Sequence, residues 1–459
     1  MEQTGAGQTG AGQATALGDS SMLDGFTPWP DEEAAHYRRA GYWQGRTLSD
    51  LLRQWACEHS TRTALVHGGT RMTYANLNRR ADRMAAGLRL RGIRPGDRVV
   101  VQLPNVPEFV VTVFALLRTG AIPVFAPVAH RAAEIGRLVR TTGAAGYVGP
   151  VSYRGFDHTG MASRISVEFP FLRRVFTWSG AGAQAGGFSV TSEGCLFFPL
   201  SSLDSPPEPD PPLDAGSVAF FLVSGGTTAL PELIPRTHDD YAYQARAGGE
   251  VLGLTQEDVY LAALPAESNF AFGCPGIVGT LAAGGTVVLI ESPEPAEVFR
   301  AIGSERVTFT SVVPDIAAQW LDALPAATED LSSLRVMQIG GGAPPHRATA
   351  ERLAAAFGCR MQQVFGRAEG FLSATRLDDA AETVLGTQGR PVSPADEIRI
   401  DAPAGQTGEL LARGPSTVRG YYKADAHNAR AFTSDGFHRT GDLARLDAHG
   451  NLVVQGRTA

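Results

Sequence analysis

Ser224-Gly-Gly-Thr-Thr-Ala-Leu-Pro231 follows directly on the apolar run Val218 to Val223, and that junction decides the fold. A continuous apolar run of this length, ended by a turn signal, predicts a strand buried on both faces. Glycines let backbone approach a phosphate closely, while hydroxyls and free N–H groups supply the donors its oxygens need. The stretch lacks G-x-x-x-x-G-K-[ST], which excludes a Walker loop. By itself, a Gly/Ser/Thr cluster of this kind also fits a plain polar turn.

Outward from this junction the chain alternates strand with helix. Toward the N-terminus, Thr47-Leu-Ser-Asp50 predicts a capping box opening an amphipathic helix with Leu48, Leu51, Leu52 and Trp55 on one face. A helix from Tyr74 to Arg91, a strand from Arg98 to Leu103, a helix from Pro107 to Leu117 and a strand from Ile122 to Phe125 follow. Toward the C-terminus, apolar runs predict strands at Val259 to Leu264, Thr286 to Ile290, Val307 to Val312, Val336 to Ile339 and Arg360 to Phe365. Such alternation implies right-handed crossovers and a largely parallel sheet. Between residues 150 and 217 the pattern weakens and ends in Ser205-Pro-Pro-Glu-Pro-Asp-Pro-Pro212, too proline-dense for regular structure. From Thr387 onward short strands separated by Gly405, Gly436 and Gly450 predict a small β-rich unit. The expected organisation is therefore an α/β protein: a flexible tail at 1–20, similar α/β subdomains at 21–212 and 213–386, and a β-rich subdomain at 387–459.

The charge balance narrows the partners. A net charge of −7 without any Lys/Arg block argues against nucleic acid and favours a small-molecule ligand. Cys57, Cys195, Cys274 and Cys359 stand far apart, which points to neither a zinc site nor a disulfide framework and fits a reducing cytoplasm. The most apolar stretch, Val99 to Val128, is interrupted by Pro104, Asn105, Pro107, Glu108 and Arg118, so no membrane span is expected. The first twenty residues lack the layout of a signal peptide.

Two further motifs carry chemistry. Gln363-Val-Phe-Gly-Arg-Ala-Glu-Gly370 closes a predicted strand, where Glu369 can hold Mg²⁺ against phosphate oxygens and Phe365 can wall a flat ligand. Arg439-Thr-Gly-Asp442 offers an aspartate able to accept hydrogen bonds from two ribose hydroxyls. Either alone fits a solvated helix start or a tight turn. Their joint occurrence with the Ser224 turn, in this order, is what carries weight.

Together with Gly340-Gly-Gly342, the segment Gly414 to Lys423 and Gly456-Arg457, these motifs resemble the adenylate-forming superfamily of acyl-CoA synthetases, luciferases and peptide-synthetase adenylation domains, over nearly the whole chain. Phe26-Thr-Pro-Trp-Pro30, Gly41-Tyr-Trp-Gln-Gly-Arg-Thr-Leu48, Leu233-Ile-Pro-Arg-Thr-His-Asp-Asp-Tyr241 and Thr387-Gln-Gly389 are similar to the stand-alone aryl-acid ligases that load 2,3-dihydroxybenzoate or salicylate in siderophore assembly. The resemblance implies ATP and Mg²⁺ as cofactors and an aryl carboxylic acid as substrate. It also implies an aryl carrier protein's phosphopantetheine as the partner of the full-length enzyme. Ser224, Gly225, Gly226, Thr227 and Thr228 would grip the β- and γ-phosphates, and Glu369 would ligate Mg²⁺. Gly341 and Val364 would border adenine, Val454 would lie near the nucleotide, and Asp442 with Arg457 would hold the ribose. Thr228 and Glu369 would serve the chemistry, in which the aryl carboxylate attacks the α-phosphorus.

The aryl pocket maps by the same resemblance onto Asn269, Phe270, Cys274, Gly342 and Leu372, beside Phe365. Asn269 would meet a hydroxyl or amine ortho to the carboxylate. Cys274 and Leu372 stand where dihydroxybenzoate ligases have Ser and Val, so an acceptor for a 3-hydroxyl is lost and salicylate or a substituted salicylate is favoured over dihydroxybenzoate, with a ligase of the anthranilate or picolinate type as the alternative. Departures from the pattern include Ser268 for His, Gly273 for Ser and Gly342 for Ala, all reducing bulk. Glu232 replaces a Lys and Arg367 a Met, which changes the charge near the nucleotide; a carboxylate there weakens ATP binding unless it points to solvent or pairs with Arg367 or Arg236. These two motivate an alternative, a binding protein on a decayed ligase core. Family members continue past the Gly-Arg hinge into a mobile domain carrying a catalytic lysine, so residues 1–459 alone are expected to bind ligands, adenylate slowly and not transfer the acyl group.

Overall fold

The computed structural model describes residues 22–180, 189–191, 194–224, 232–341 and 347–458. The expected tail at 1–20 lies outside them. Two large, mostly parallel sheets and one smaller antiparallel sheet make the frame, an α/β architecture of the expected class.

The first large sheet runs in the order Leu233–Thr237, Val218–Val223, Ile122–Phe125, Arg98–Val101, Gly146–Pro150, Arg174–Trp178, Leu196–Pro199 and Ser189–Val190. The second runs Arg390–Pro391, Leu372–Ala374, Arg360–Gly366, Val336–Gly340, Phe309–Val312, Val259–Ala262, Thr286–Leu289, Thr63–His67 and Thr70–Thr73. The sheets therefore exchange segments. Val218–Val223, expected to open the second half, pairs in parallel with Ile122–Phe125 of the first sheet, and Thr63–His67 from the N-terminal part pairs with Thr286–Leu289 of the second. A cut at residue 212 does not follow the division between sheets. The weak region also contains order that the sequence did not announce, with a helix at His158–Glu168 and strands at Arg174–Trp178 and Leu196–Pro199.

Local signals hold where they are self-contained. Thr47 caps the helix Leu48–Glu58 by accepting from Asp50 N–H, and Asp50 returns the bond, a reciprocal satisfaction of free helix-start donors. Thr237 and Asp240 repeat this at the start of His238–Leu252. Asn105 joins the two sheets: its amide donates to the Ala262 and Leu264 carbonyls at 3.0 and 2.8 Å and accepts from Ala266 N–H at 2.8 Å. Buried backbone groups at the strand end Val259–Ala262 thus find partners across the sheet boundary.

Glu397–Asp401, Gly408–Arg413, His438–Leu446 and Leu452–Arg457 form the antiparallel sheet. Phe371 joins Leu410, Ala412, Ala444 and Leu452 in a small core that fixes this sheet to the end of Arg360–Gly366. No helix among the described residues is long and apolar enough to cross a membrane.

Candidate active site

The carboxyl ends of three parallel strands and the face of the antiparallel sheet enclose a cavity of about 930 Å³. Val218–Val223 delivers Ser224, Val336–Gly340 delivers Gly341, and Arg360–Gly366 carries Val364 and Phe365 and leads into Glu369. His438–Leu446 contributes Asp442, and Leu452–Arg457 contributes Val454 and Arg457, with Asp442 and Arg457 opposite each other in register. Ligands of open α/β sheets bind at such strand ends. Of the residues expected at the nucleotide, Ser224, Gly341, Val364, Glu369, Asp442, Val454 and Arg457 therefore meet on one cavity, together with Phe365, expected at the acid. Gly225, Gly226, Thr227, Thr228 and Gly342 lie outside the described residues.

The turn that presents Glu369 needs glycine after it. Gly370 has φ +118°, and a Cβ there would fall 1.7 Å from the Ser416 carbonyl oxygen, while Val418 N–H binds the Glu369 carbonyl at 2.8 Å. Only a residue without a side chain lets the 414–423 segment press so closely behind the carboxylate.

Glu369 is 3% exposed. The Tyr421 hydroxyl donates to its Oε1 at 2.7 Å, and His438 Nε2 lies 3.2 Å from that hydroxyl. Because the phenol spends its single proton on the carboxylate, its oxygen accepts from an Nε2–H tautomer of His438. Burial alone would push the Glu369 pKa up, but the Arg367 guanidinium, His438 and the Tyr421 hydroxyl outweigh it and hold the carboxyl below its ordinary value. Asp442 lies under the opposite balance: burial pushes its carboxyl up against the pull of Arg367 and Arg457. Tyr421 bonds one oxygen of the ionised Glu369, and the other has no hydrogen bond to a described side chain, which suits Mg²⁺, an ion that takes one or two carboxylates and completes its shell with water and phosphate.

Arg367, noticed in the sequence only as a departure, stands between the two carboxylates. Its guanidinium lies 3.6 Å from Glu369 Oε2 and 3.3 Å from Asp442 Oδ2. Glu232 pairs with neither arginine proposed for it. Arg236 is buried against Asp240 at 2.6 Å and reaches the Ala368 and Ser416 carbonyls, and the His427 imidazole lies 3.9 Å from the Glu232 carboxylate.

The residues assigned to the acid stand behind this wall. Asn269, Phe270, Cys274 and Leu372 do not line the cavity; Cys274 and Leu372 are buried with Val364 in an apolar cluster that Phe270 flanks. Asn269 Oδ1 accepts from the Tyr241 hydroxyl at 3.0 Å and from Gln244 Nε2 at 3.2 Å, and Nδ2 donates to the Arg367 carbonyl at 3.2 Å. Gln244 also reaches the Gly273 carbonyl and Cys274 Sγ, at 3.0 and 3.4 Å. Burial pushes the Cys274 thiol up to about 12. Strand alternation sends one pair of neighbouring site residues to different clusters. Val364, expected at adenine, packs with Cys274 and Leu372, whereas Phe365, expected at the acid, packs toward Phe371 and Val454, because successive strand residues face opposite sides. Tyr241, Gln244, Tyr421 and His438 were not singled out; only Tyr241 and Tyr421 fell within quoted motifs.

A strand-end cavity with buried carboxylates and a glycine-bearing turn defines a nucleotide-site class of α/β protein. The chain belongs to the AMP-binding enzyme family, whose pattern matches residues 52–422. It is 47% identical over 442 residues to a 2,3-dihydroxybenzoate-AMP ligase of Bacillus subtilis (strain 168), covering 95% of this chain and 79% of that protein. It is 44% identical over 447 residues to a salicyl-AMP ligase / salicyl-S-ArCP synthetase of Mycobacterium tuberculosis, covering 95% and 77%. Among solved structures, apo MbtA of Mycobacterium smegmatis superposes with a TM-score of 0.86 at 42% identity, covering 96% of this chain and 81% of that one.

Proposed function

We propose that this protein activates salicylate or a substituted salicylate with ATP, giving aryl-AMP and pyrophosphate, for loading onto a carrier-protein phosphopantetheine thiol in siderophore or nonribosomal peptide assembly. The observation that carries this reading is the meeting of Ser224, Glu369, Asp442 and Arg457 on one cavity backed by the Asn269 cluster. Similarity to aryl-acid AMP ligases supports it. The described cysteines are free thiols, in keeping with a reducing cytoplasm.

In this reading the acid arrives as a carboxylate and needs no base. One of its oxygens bonds to the α-phosphorus as the bond from that phosphorus to the bridging oxygen breaks, and pyrophosphate leaves with the electron pair. Catalysis is then alignment and charge neutralisation. Asp442 accepts from ribose hydroxyls beside Arg457, Phe365 and Val454 wall the base, and Val364, Phe270, Cys274 and Leu372 pack the ring. Glu369 would hold Mg²⁺, which neutralises charge on the departing phosphates. The Ser224 to Thr228 turn would bind the β- and γ-phosphates.

Asn269 favours an ortho hydroxyl over an ortho amine. Its Oδ1 already accepts from Tyr241 and Gln244, filling both lone pairs, while Nδ2 carries a second N–H that has no partner among the described residues. That N–H can donate to a phenolic oxygen; a ring amine would need an acceptor. Calorimetry with a non-hydrolysable salicyl-adenylate analogue tests the reading. Binding with a raised melting temperature is expected; neither heat nor stabilisation would favour instead a decayed core, to which Arg367 between the carboxylates lends its one observation.

A further inference from the structure

We propose that Arg367 is a phosphate-binding residue of this chain, its guanidinium donating to the α-phosphate of AMP and of the acyl-adenylate from between Glu369 and Asp442. The proposal rests on the nucleotide reading of the cavity given above and adds a ligand contact to it.

Two buried atoms in the cavity wall lack hydrogen-bond partners among the described residues, and they are complementary in kind. Arg367 Nε is a donor without an acceptor, and Asp442 Oδ2 is an acceptor without a donor. Buried polar atoms left this way are costly unless a ligand completes them. A ribose 5′-phosphate supplies both needs, hydroxyl donors for the aspartate and anionic oxygens for the guanidinium. The fork of Arg367 is unsaturated by its ion pairs, since 3.6 and 3.3 Å exceed the usual 2.7–2.9 Å of a charge-assisted bond. Arg413, by contrast, closes on Glu397 with bonds of 2.8 Å from one nitrogen to both oxygens.

Position agrees with this assignment. Arg367 is the first residue past the strand Arg360–Gly366, and it shares the cavity with Ser224 and Gly341 at neighbouring strand ends. Its backbone is fixed by a bond from its N–H to the Phe371 carbonyl at 3.0 Å, and its own carbonyl receives Asn269 Nδ2. The guanidinium is thus anchored on the acid side and aimed at the nucleotide side. Without it, Glu369 and Asp442 would face an incoming phosphate as two carboxylates, a repulsive pairing.

The test compares AMP with adenosine by calorimetry, on the full chain with magnesium chelated, in wild type, Arg367→Met and Arg367→Lys. In Arg367→Met the preference for AMP over adenosine is expected to fall about tenfold or more, the usual weight of a hydrogen bond between charged partners, with adenosine affinity unchanged. In Arg367→Lys about half of that loss, on a logarithmic scale, should return, because a point charge lacks the planar fork. An unchanged or increased AMP preference in Arg367→Met overturns the assignment, and so does full restoration by lysine, which would make the effect one of charge alone. Wild-type protein that binds neither AMP nor adenosine would instead remove the nucleotide reading itself.

Discussion

Among the described residues, the fold leaves buried polar atoms around Glu369 and Asp442 short of partners, whereas around Asn269 it joins them in a hydrogen-bonded set that leaves one N–H of Nδ2 spare. Arg367 Nε, Asp442 Oδ2 and His438 Nδ1 are buried without hydrogen bonds. Behind them Tyr241, Gln244, Asn269, Gly273 and Cys274 form one connected set. An unsatisfied wall accepts a ligand by completing itself, and its affinity comes from charge. A satisfied pocket holds its shape beforehand, and discriminates by what it has no room or lone pair to accept. In the proposed reading, the difference places binding strength with the residues assigned to the nucleotide and ring selectivity with those assigned to the acid.

The largest effect should come from the group on which the satisfied side is built. Arg236 and Asp240 are both fully buried, and Arg236 also holds Gln244 Oε1 at 3.0 Å. Arg236→Met leaves Asp240 buried without its counterion, and denaturant unfolding should show a loss of about 3–5 kcal/mol. A loss below about 1 kcal/mol would mean that the acid side does not depend on this pair.

Acid titration should separate the two regions next. Burial pushes the His438 pKa down to about 4, against the upward pull of Glu369, while an unfolded histidine titrates near 6.5. Below that value the unfolded chain takes a proton that the folded one refuses, so stability present at neutral pH is lost as pH falls toward about 4. In His438→Gln this contribution disappears, and the stability gap between wild type and variant should shift by about 2–3 kcal/mol between pH 7 and pH 4.5. Cys274, pushed up to about 12, does not titrate in that window. A gap constant with pH would show that His438 titrates in the folded protein as it does in the unfolded chain.

Asn269→Ala tests the satisfied side directly. It removes the acceptor of Tyr241 and Gln244 together with the spare N–H, and should weaken salicylate binding by about 1–3 kcal/mol with AMP affinity unchanged. Unchanged salicylate affinity would remove Asn269 from the pocket.

These contrasts also mark where the sequence was readable. Thr47 with Asp50, and the apolar runs Val218–Val223 and Val336–Gly340, announced themselves because a cap or a buried strand is encoded within a few residues. Which sheet Thr63–His67 or Val218–Val223 joins was not legible, since parallel pairing is decided by partners far along the chain. The carboxylates Glu369 and Asp442 were found through their motifs. Tyr421 was passed over within its motif because its bond to Glu369 spans 52 residues. Val364 and Phe365 both reach the cavity, but which of two neighbours faces which cluster needs the strand's orientation, and composition does not carry it.

Glu232 gives the smallest effect and the sharpest check on how charge is read from sequence. Standing where relatives are expected to have lysine, it predicted weakened ATP binding unless it pointed to solvent or paired with Arg236 or Arg367. Both are committed elsewhere, and the carboxylate, 30% exposed at the cavity edge, lies 3.9 Å from His427. Exposure to water screens its field on the phosphates, so Glu232→Gln should raise ATP affinity by no more than about threefold and leave AMP affinity unchanged, because only the outer phosphates approach that edge. A rise beyond about tenfold would show that the carboxylate turns inward when the triphosphate arrives, and would move Glu232 from the rim into the unsatisfied wall.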